Sequence, residues 1–578
     1  MCVAGREFSD PRLTNDGACL VYASADEGIA SLVLHSFDAT TPDRLLATEP
    51  GLRAARGLGG GSWCFTADET AIVYVGAAGD LWLQPIAGGP SRQLTTAQRD
   101  VSSPCCGENF VVYEIDQAEI HQLFFETGVD RRIDDGSADF CLDPFVGDSG
   151  AIRWLAWNVP DMPWDHSRVQ RLIDGEVHDL TVAGGVQQPR EMPDGRSICV
   201  RDDDGWLNVW VAGWPAVVEP FEHARPTWGP GQRTYAWSPD CTRVAFVRNE
   251  RGFGRLCVAE LGSLPVAVAR GVHGQLSWAA NRLASVRTGA RTPQEVVVYD
   301  TTTWERTVVA VGGAPDWSGV DLVEPKAVSV AAGSDLVHAR LYAAPGNSRG
   351  LLVWVHGGPT DQWPVTFIPR FAYWCAQGWN ILVPDHRGST GHGRAYQQAL
   401  RRQWGVLDVQ DTLLVTKHAQ QVGWGTARNT VVMGSSAGGF NALEAVAAEP
   451  ELFAAAVVLY PVSDLTDLSA PYRFEQHYYD SLIGTLPSRA DAYRDRSPIE
   501  HAERFATTPL MISHGEADSV VPVEQSIRFA DRVRAAGGTV ELHVYEGEGH
   551  GFRQRVNQLA DYQRVAGFLA RYVPLASA

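Results

Sequence analysis

The sequence of 578 residues predicts two domains of different class, an N-terminal β-propeller over residues 1–318 and a C-terminal α/β domain over residues 319–578. Two patterns support this division. In the first part, a polar turn followed by a short apolar strand recurs seven times. In the second part, short buried strands alternate with amphipathic helical segments, which is typical of a mainly parallel sheet covered on both faces.

Polar turns divide the first domain into segments of the length that one propeller blade needs. Asn, Asp and Gly tolerate the backbone angles of tight turns, and stretches such as Met192–Gly195 precede short apolar strands. Steps of 52, 41, 39, 46, 46 and 41 residues separate the seven turn positions: Asp16, Asp68, Asn109, Asp148, Asp194, Asp240 and Asn281. Four-stranded blades recur at about 45 residues, so we expect seven blades. A large irregular β-sandwich is the alternative.

Short apolar runs in the second domain predict its strands. Six such runs are present: Leu351–Val355, Asn380–Val383, Thr430–Met433, Ala455–Leu459, Leu510–Ser513 and Val540–Val544. Between them, segments 410–421 and 523–536 have the apolar spacing of amphipathic helices. No low-complexity linker separates the two domains.

Charge and cysteine usage limit the classes of partner and the compartment. The chain carries 48 basic and 68 acidic side chains, and its net charge of −20 disfavours nucleic acid and anionic membranes as partners. Ten cysteines are scattered without a C-x-x-C pair, so we expect reduced, buried thiols and a cytoplasmic protein. No secretion signal is visible, and the apolar segment Phe453–Val462 is about half as long as the ~20 residues of a membrane span.

The strongest local motif is G-S-S-A-G-G at residues 434–439, which follows a predicted strand and opens a predicted helix. It contains G-x-S-x-G, the nucleophile elbow of α/β-hydrolase folds. A serine in such a strained turn needs neighbours without side chains two positions away, and Ser436 fits that spacing whereas Ser435 does not. The helix start also directs backbone N–H groups at incoming negative charge. We therefore predict that Ser436 is a nucleophile.

A serine hydroxyl is a poor nucleophile at neutral pH and needs a base that a carboxylate holds in place. In α/β-hydrolase folds the acid and then the histidine follow the serine, on loops after later strands. Asp518 lies 82 residues after Ser436, and His550 lies 32 residues further, each just after a predicted strand. Three weaker alternatives occur in the same loops: His514 as the base and Glu516 or Glu548 as the acid.

The loop His356–Pro359 follows the first of the six predicted strands. A glycine-rich loop in this position supplies one backbone N–H of an oxyanion hole, and the residue after the nucleophile, Ala437, supplies the other. Two such donors stabilise the negative oxygen of a tetrahedral intermediate. A plain turn is the alternative interpretation of this loop.

Together these motifs resemble the prolyl oligopeptidase family of serine peptidases, in its acylaminoacyl-peptidase and dipeptidyl-peptidase branch. The resemblance covers nearly the whole chain and depends on five segments: His356–Pro359, Asp385–Gly391, the elbow at 434–439, His514–Asp518 and Gly549–Phe552. It implies a triad of Ser436, Asp518 and His550, and it places the N–H groups of Gly358 and Ala437 in the oxyanion hole. It also implies an apolar substrate pocket at four positions that fit ordinary core equally well: Val462, Leu465, Leu468 and Val521.

The chain departs from this family's pattern in its anchoring groups. Prolyl oligopeptidases proper use a tyrosine hydroxyl as an oxyanion donor, and residues 356–361 contain no tyrosine. Dipeptidyl peptidases hold the substrate N-terminus with paired glutamates on the propeller, and the sequence does not identify such a pair. Glu475 is a candidate anchor for a substrate ammonium, with a structural ion pair as the alternative. Two roles suit Arg387 equally well: contact with the substrate and support of its own loop.

The sequence therefore predicts a serine peptidase that acts on short peptides through an acyl-enzyme, with a propeller that, by resemblance, excludes folded proteins. No cofactor is required by this chemistry, and His386 and His392 lack partners at metal-ligand spacing. Three alternatives stay open: an esterase or amidase for an aminoacylated small molecule, a peptide ligase or cyclase, and a non-catalytic propeller scaffold. The sequence does not determine the preferred residue, exopeptidase or endopeptidase action, or whether the chain forms a homo-oligomer.

Overall fold

The structure is a computed structural model that describes residues 5–53, 55, 59–96, 99–147, 149–180, 184–313, 320–467, 473–475 and 477–573. The chain divides into two compact units. Among the described residues, the first comprises Gly5–Gly313 with residues 364–366, and the second comprises residues 320–363 with residues 367–573. The predicted boundary between residues 318 and 319 lies outside the described residues.

The described part of the first unit contains seven antiparallel sheets, each built from four consecutive strands, which confirms the predicted seven-bladed propeller. The strands are, blade by blade, β1–β4 (Glu7–Leu13, Cys19–Asp26, Ile29–Ser36, Arg44–Leu46), β5–β8 (Trp63–Phe65, Ala71–Val75, Leu81–Pro85, Arg92–Gln93), β9–β12 (Val101–Cys106, Phe110–Ile115, Glu119–Phe124, Asp130–Arg132), β13–β16 (Phe140–Val146, Ile152–Trp157, Arg168–Ile173, Glu176–Asp179), β17–β20 (Val186–Glu191, Ser197–Arg201, Asn208–Val211, Trp214–Pro215), β21–β24 (Tyr235–Trp237, Arg243–Glu250, Phe253–Glu260, Val266–Arg270) and β25–β28 (Val272–Ala279, Arg282–Gly289, Thr292–Asp300, Arg306–Val311). Six of the predicted turn residues each lie between the first and second strand of a blade, and Asp148 lies outside the described residues.

The ring of blades closes by packing of the first blade against the seventh, and each of these two sheets is built from its own consecutive strands. Apolar side chains from both blades share one buried cluster that includes Phe8, Tyr22 and Val296. The Leu13 N–H also donates a hydrogen bond to Ser277 Oγ at 3.0 Å. Because strand side chains alternate between the two faces of a blade, each face contributes to one interface with a neighbour.

The innermost strands bulge, and buried polar residues of different blades contact one another there. Asp10, Asp143 and Gln275 are buried at such bulges and have positive φ angles of 51°, 53° and 58°. Asp143 Oδ1 accepts a hydrogen bond from the N–H of Gly231, which precedes the sixth blade, at 2.5 Å. Arg233 Nη1 donates to Asp10 Oδ1 of the first blade at 2.6 Å. These contacts join blades that are not neighbours in the chain and stabilise the ring from inside.

The second unit contains one eight-stranded sheet with helices around it. Its strands are β29 (Lys326–Ala332), β30 (Asp335–Tyr342), β31 (Gly350–Val355), β32 (Trp379–Asp385), β33 (Thr430–Ser435), β34 (Ala455–Leu459), β35 (Leu510–Gly515) and β36 (Val540–Tyr545). The spatial order is β29-β30-β32-β31-β33-β34-β35-β36, with β31–β36 parallel and β30 antiparallel to both of its neighbours. This arrangement confirms the predicted α/β-hydrolase fold.

The central strands and the helices follow the burial that the sequence indicates. Every residue of β31, β33 and β35 is buried, as expected for strands covered on both faces. The helices are α1 (Pro369–Ala376), α2 (Arg394–Gln398), α3 (Leu407–Gln421), α4 (Ala437–Ala448), α5 (Tyr478–Leu482), α6 (Ala490–Asp495), α7 (Val523–Ala535) and α8 (Arg555–Tyr572), with 3₁₀ turns at Pro450–Leu452, Leu465–Asp467, Arg473–Glu475 and Pro498–Ala506. None of the described helices combines the length and the apolar character needed to cross a membrane.

The nine cysteines in the described part of the chain are free thiols. Five of them are buried, as the sequence predicts. Four are only half-buried, so the expectation of uniformly buried thiols is wrong for Cys19, Cys105, Cys106 and Cys199.

Candidate active site

Ser436 lies in a sharp turn between strand β33 and helix α4. Its backbone has φ 55° and ψ −125°, a strained conformation for a residue with a side chain. The Ser436 N–H donates to the Leu459 carbonyl at 3.1 Å, which fixes the turn against strand β34. Ser436 is half-buried, whereas its neighbour Ser435 is buried. This local geometry is that of a nucleophile elbow.

Glycines on both sides of Ser436 are required because the backbone segments around the turn nearly touch. A Cβ atom on Gly434 would lie 2.1 Å from the Gly438 carbonyl oxygen. A Cβ atom on Gly438 would lie 2.3 Å from the Val355 carbonyl oxygen at the end of β31. Both separations are far shorter than the ~3.5 Å of a favourable van der Waals contact. The G-x-S-x-G spacing therefore follows from direct steric need.

His550 and Asp518 form a hydrogen-bonded pair on neighbouring loops, after β36 and β35 respectively. His550 Nδ1 lies 2.8 Å from Asp518 Oδ2 and donates to it. The imidazole is 19% exposed, and the carboxylate is fully buried. The N–H of Ala517 donates to the Glu548 carbonyl at 2.9 Å, which joins the two loops. With Nδ1 engaged, Nε2 of His550 is the nitrogen that can exchange a proton.

Asp518 is held in its ionised form by several donors. Its Oδ1 accepts the backbone N–H groups of Val520 and Val521 at 2.8 and 2.9 Å. Burial by itself raises the pKa of Asp518, but the hydrogen bonds from His514 and His550 outweigh burial and hold this pKa well below its ordinary value. An ionised carboxylate at this position stabilises a protonated imidazole at His550.

The alternative acids and base have other contacts. Both ring nitrogens of His514 are engaged, with Ser526 Oγ at 2.7 Å and the Val521 carbonyl at 2.9 Å. Glu516 is exposed. Glu548 is buried and accepts two backbone N–H groups just before helix α8, at 2.8 and 2.9 Å. These contacts are structural, because each one satisfies a hydrogen-bonding group of a loop or holds the loop in position.

Tyr460 links the serine turn to His550, although it belongs to none of the predicted site residues. It directly follows Leu459, whose carbonyl accepts the Ser436 N–H, and its ring centroid lies 4.5 Å from that of His550. Its position just after a parallel strand is the only signal that the sequence offers. Among the described residues the Ser436 hydroxyl has no hydrogen-bond partner, which is common for a nucleophile before substrate binds.

The glycine-rich loop after β31 lies beside the serine turn. A Cβ atom on Gly357 would lie 3.6 Å from Ser436 Cβ. Gly358 has a φ of 121°, which glycine adopts without strain. Ala437 is the first residue of α4, where backbone N–H groups lack partners within the helix and the helix dipole is positive. The loop and the helix start thus present two sets of backbone donors on either side of Ser436.

A buried histidine holds the glycine-rich loop in place. His356 Nδ1 donates to the Gly357 carbonyl at 2.7 Å, and its Nε2 accepts from Ser389 Oγ at 2.7 Å. Burial lowers the pKa of His356 to about 4, so the ring is neutral at pH 7. Its ring stacks on that of His386 at 4.8 Å.

Asp385, at the end of β32, is the centre of a second buried network. Arg340 donates to both of its oxygens at 2.9 and 2.6 Å, Gln362 Nε2 donates at 2.8 Å, and His392 Nε2 donates at 2.9 Å. Among the described residues, no three His, Cys, Asp or Glu side chains are grouped to hold a metal ion. Arg387 forms an ion pair with buried Asp411 at 2.7 Å, a contact that supports its own loop.

The positions suggested for an apolar pocket are closed in this structure. Val462, Leu465 and Val521 are between 1% and 3% exposed. Leu468 lies outside the described residues. Glu475 is half-buried, and burial raises its pKa to about 7.

Tyr478 connects the segment around Glu475 with the glycine-rich loop. Its hydroxyl accepts the Thr360 N–H at 3.1 Å and is also hydrogen bonded to Thr360 Oγ1. The next residue, Tyr479, stacks on Trp404 with ring centroids 5.4 Å apart. In the described part of the chain, no basic side chain pairs with Glu475. The predicted alternative of a structural ion pair therefore has no partner among those residues.

Residues 365–575 match the model of the prolyl oligopeptidase family. Over this part, the chain is similar to the acylamino-acid-releasing enzyme of Arabidopsis thaliana, with 28% identity over 238 residues, 40% of this chain and 31% of that protein. It is also similar to dipeptidyl peptidase family member 6 of Caenorhabditis elegans, with 30% identity over 243 residues, 41% of this chain and 33% of that protein. The matches thus span about a third of the length of these curated relatives.

A solved structure of puromycin hydrolase is similar to the chain as a whole. The TM-score is 0.88 with 25% sequence identity, and the match covers 99% of this chain and 96% of that one. The likeness therefore includes both the propeller and the α/β-hydrolase unit.

Proposed function

We propose that this protein is a serine peptidase that cleaves short peptides through an acyl-enzyme, and the match of residues 365–575 to the model of the prolyl oligopeptidase family supports this. In this proposal Ser436 is the nucleophile, His550 is the general base, and Asp518 orients the imidazole. The observation that carries it is the 2.8 Å hydrogen bond between His550 Nδ1 and Asp518 Oδ2, with Tyr460 in contact with both the His550 ring and the serine turn.

Acylation begins when the Ser436 hydroxyl attacks the carbonyl carbon of the scissile bond and His550 Nε2 takes the hydroxyl proton. The tetrahedral intermediate then collapses as the C–N bond breaks, and His550 gives the proton to the leaving amine. Water attacks the acyl-serine ester with His550 again as base, and release of the acid restores the Ser436 hydroxyl. Asp518 stays ionised because its hydrogen bonds keep its pKa low.

The N–H groups of Gly358 and Ala437 are the proposed donors to the oxyanion. Their support is the position of the glycine-rich loop beside Ser436 and of Ala437 at the start of helix α4. Loss of one such donor typically lowers turnover ~10²–10³-fold. Because neighbouring His356 is neutral, the charge of the intermediate is stabilised by backbone dipoles rather than by a nearby imidazolium.

We assign Glu475 as the anchor for a free α-ammonium at the substrate N-terminus. Its carboxylate has no basic partner among the described residues, and Tyr478 holds its segment against the glycine-rich loop. An ammonium supplies the missing opposite charge, which favours unblocked over N-acylated substrates. The apolar substrate pocket at Val462, Leu465, Leu468 and Val521 stays a prediction from the resemblance, because the three described members are only 1–3% exposed.

An aminoacylated small molecule is the second candidate substrate. The likeness to puromycin hydrolase over nearly the full length of both chains favours it. The same triad cleaves amides and esters, so only a substrate panel separates this candidate from a peptide. A ligase or cyclase would differ in that a peptide amine, rather than water, resolves the acyl-enzyme, and product mass would show it. A cytoplasmic location stays a prediction from the cysteine pattern.

The test compares aminoacyl p-nitroanilides with their N-acetylated counterparts. Ser436→Ala should lose hydrolysis and fluorophosphonate labelling while its Tm stays unchanged. Glu475→Gln should raise KM for the free amine about tenfold or more, because a charge-assisted hydrogen bond contributes ~1.5–3 kcal/mol, and should leave the acetylated substrate unaffected. Asp491→Asn, on helix α6 and 85% exposed, is the matched control and should change neither.

Two results would overturn parts of this proposal separately. Labelling that persists in Ser436→Ala removes the serine assignment. Equal losses on both substrates in Glu475→Gln remove the ammonium anchor and leave the triad in place.

A further inference from the structure

The second unit contains a partly open cavity of about 190 Å³ beside the loop that carries His550, and the proposed mechanism does not use it. Helix α1, helix α8 and strands β33 and β34 contribute to its wall. Its aromatic lining residues are Trp354, Trp374, Tyr460, Phe552 and Tyr562. An engineered cavity of about 150 Å³ is known to bind benzene, so this volume accommodates an aromatic ring.

Asp561 of helix α8 gives the cavity an acceptor without a partner. Asp561 is buried and lines the cavity, and its Oδ1 accepts from both Ser513 Oγ at 2.6 Å and Tyr545 OH at 3.1 Å. Its Oδ2 accepts no hydrogen bond from a described residue. Burial raises the pKa of Asp561, as expected for a carboxylate that lacks a paired cation.

Arg370 and Trp354 give the same cavity donors without partners. The Arg370 guanidinium lies over the Trp354 ring at 5.5 Å, and no described carboxylate lies within ion-pair distance of it. The Trp354 indole N–H is buried and has no acceptor among the described residues. Arg370 and Asp561 both line the cavity without pairing with each other. A cation, a neutral donor and an anion are therefore all available to one ligand.

We propose that this cavity binds a free α-amino acid with an aromatic or large apolar side chain. The ligand carboxylate pairs with Arg370 and accepts the Trp354 N–H, and its ammonium donates to Asp561 Oδ2. The side chain packs among the aromatic walls. Such an amino acid is a product of the proposed peptidase reaction. The source of the ligand therefore rests on the proposed function, whereas its binding to the cavity does not.

A ligand bound in the cavity acts on His550 through residues that line the cavity and also contact or adjoin His550. Tyr460 lines the cavity and contacts the His550 ring at 4.5 Å, and Gly551 lines it directly after His550 in the chain. A ligand against Tyr460 restricts the imidazole, which must face Ser436 and then the leaving amine. The amino acid therefore lowers kcat without raising KM, because the cavity is separate from the proposed substrate subsites.

The binding test titrates L-phenylalanine into the full-length Ser436→Ala chain by isothermal calorimetry, so turnover does not contribute. We expect saturable binding that weakens at least tenfold in Ser436→Ala/Arg370→Met and stays unchanged in Ser436→Ala/Arg571→Met. Arg571 is a matched control because it is 54% exposed and forms its ion pair with Glu541, away from the residues that line the cavity. On the parent chain, phenethylamine and 3-phenylpropionate each lack one charged group and should bind at least tenfold more weakly.

Absence of saturable phenylalanine binding, or equal affinity in Ser436→Ala/Arg370→Met, would overturn the proposal, and both results are independent of any hydrolytic activity. With the active chain, phenylalanine should lower kcat and leave KM unchanged, and Arg370→Met should abolish this inhibition. A purely competitive pattern would place the amino acid in the substrate site instead. The two analogues need only the Ser436→Ala parent chain, so the test stands even if the variant that also carries Arg370→Met fails to fold.

Discussion

Two aspartate–histidine pairs occur in the second unit, and their surroundings differ sharply. Asp518 and His550 are joined at 2.8 Å, and Asp385 and His392 are joined at 2.9 Å. Both aspartates are buried at the carboxyl-end side of the parallel strands, and both have a pKa below the ordinary value: burial opposes this, and stronger charge and hydrogen-bond interactions overcome it. Hydrogen-bond distance and burial of the carboxylate do not distinguish the two pairs, although only Asp518 and His550 follow Ser436 in the chain.

The partners of each aspartate decide what its histidine can do. Arg340 neutralises Asp385 through two hydrogen bonds, and His392 is 3% exposed and stacked on His338 at 4.4 Å. Asp518 instead receives backbone N–H groups and histidines, and the His550 ring is 19% exposed. An aspartate neutralised by arginine adds little to imidazole basicity, whereas one held by neutral donors keeps its charge for the imidazole. The first pair is suited to holding loops and the second to moving protons.

The largest expected effect separates the two histidines. Under the proposed mechanism, His550→Ala should lower kcat/KM by about 10⁶-fold, since loss of the base alone costs about as much as loss of a whole triad. His392→Ala should keep kcat/KM within a few-fold but lower the Tm, because Asp385 loses one of its buried donors. Steady-state hydrolysis of an aminoacyl p-nitroanilide with a thermal melt measures both. Equal activity losses would show that the Asp385 pair takes part in catalysis.

A second expected effect separates the two aspartates through stability. Arg340→Met should destabilise the second unit by about 3–5 kcal/mol, because it leaves the charge of Asp385 buried without a counterion. Asp518→Asn should instead lower kcat about 10⁴-fold, because the histidine is then held in the wrong tautomer. It should cost less stability than Arg340→Met, because it leaves no unpaired buried charge. Differential scanning calorimetry and kinetics on the same preparations give the comparison.

The double variant Arg340→Met/Asp385→Asn is the control for this prediction. It removes the unpaired charge and should recover part of the Tm that Arg340→Met loses. A double variant as unstable as the single one would mean that Arg340 acts through packing rather than through its charge.

Local sequence patterns were sufficient for the elements in which neighbours along the chain fix the geometry. The turn residues between the first two strands of a blade, such as Asp68 and Asp240, set a hairpin by their own backbone preferences. The glycines around Ser436 are dictated by contacts that form whenever a strand turns directly into a helix. Short apolar runs are also a local signal, and strands β31–β36 match the six predicted runs to within one or two residues.

The rest could not be predicted because it depends on contacts between distant segments. Arg340 reaches Asp385 only through the antiparallel pairing of β30 with β32, and β30 itself was not among the predicted strands. Tyr460 reaches His550 across three strands of the sheet. Glu548 is two residues from His550 in sequence and still has a structural role, because it accepts N–H groups before helix α8. Residue type and spacing carry no signal for the contacts of Arg340 and Glu548, and for Tyr460 the only signal is its position after a parallel strand.

The smallest expected effect concerns the stability of the fold at acid pH. It adds His356, which is buried and neutral, to the comparison of His550 with His392. Burial lowers the pKa of His356 to about 4, against about 6.5 in the unfolded chain, so its neutral form favours the folded state. Stability from this group is present above pH ~6.5 and is lost as the pH falls toward ~4, by about 2 kcal/mol between pH ~6.5 and ~5. Asp385 and Asp518 have lowered pKa values, so their stabilisation is lost only below about pH 4. His356→Gln should therefore flatten the fall in unfolding free energy between pH ~6.5 and ~5, and Asp385→Asn should not. Denaturant titrations across that range measure the slopes, and parallel slopes for wild type and His356→Gln would mean that the imidazole takes up its proton without unfolding the loop.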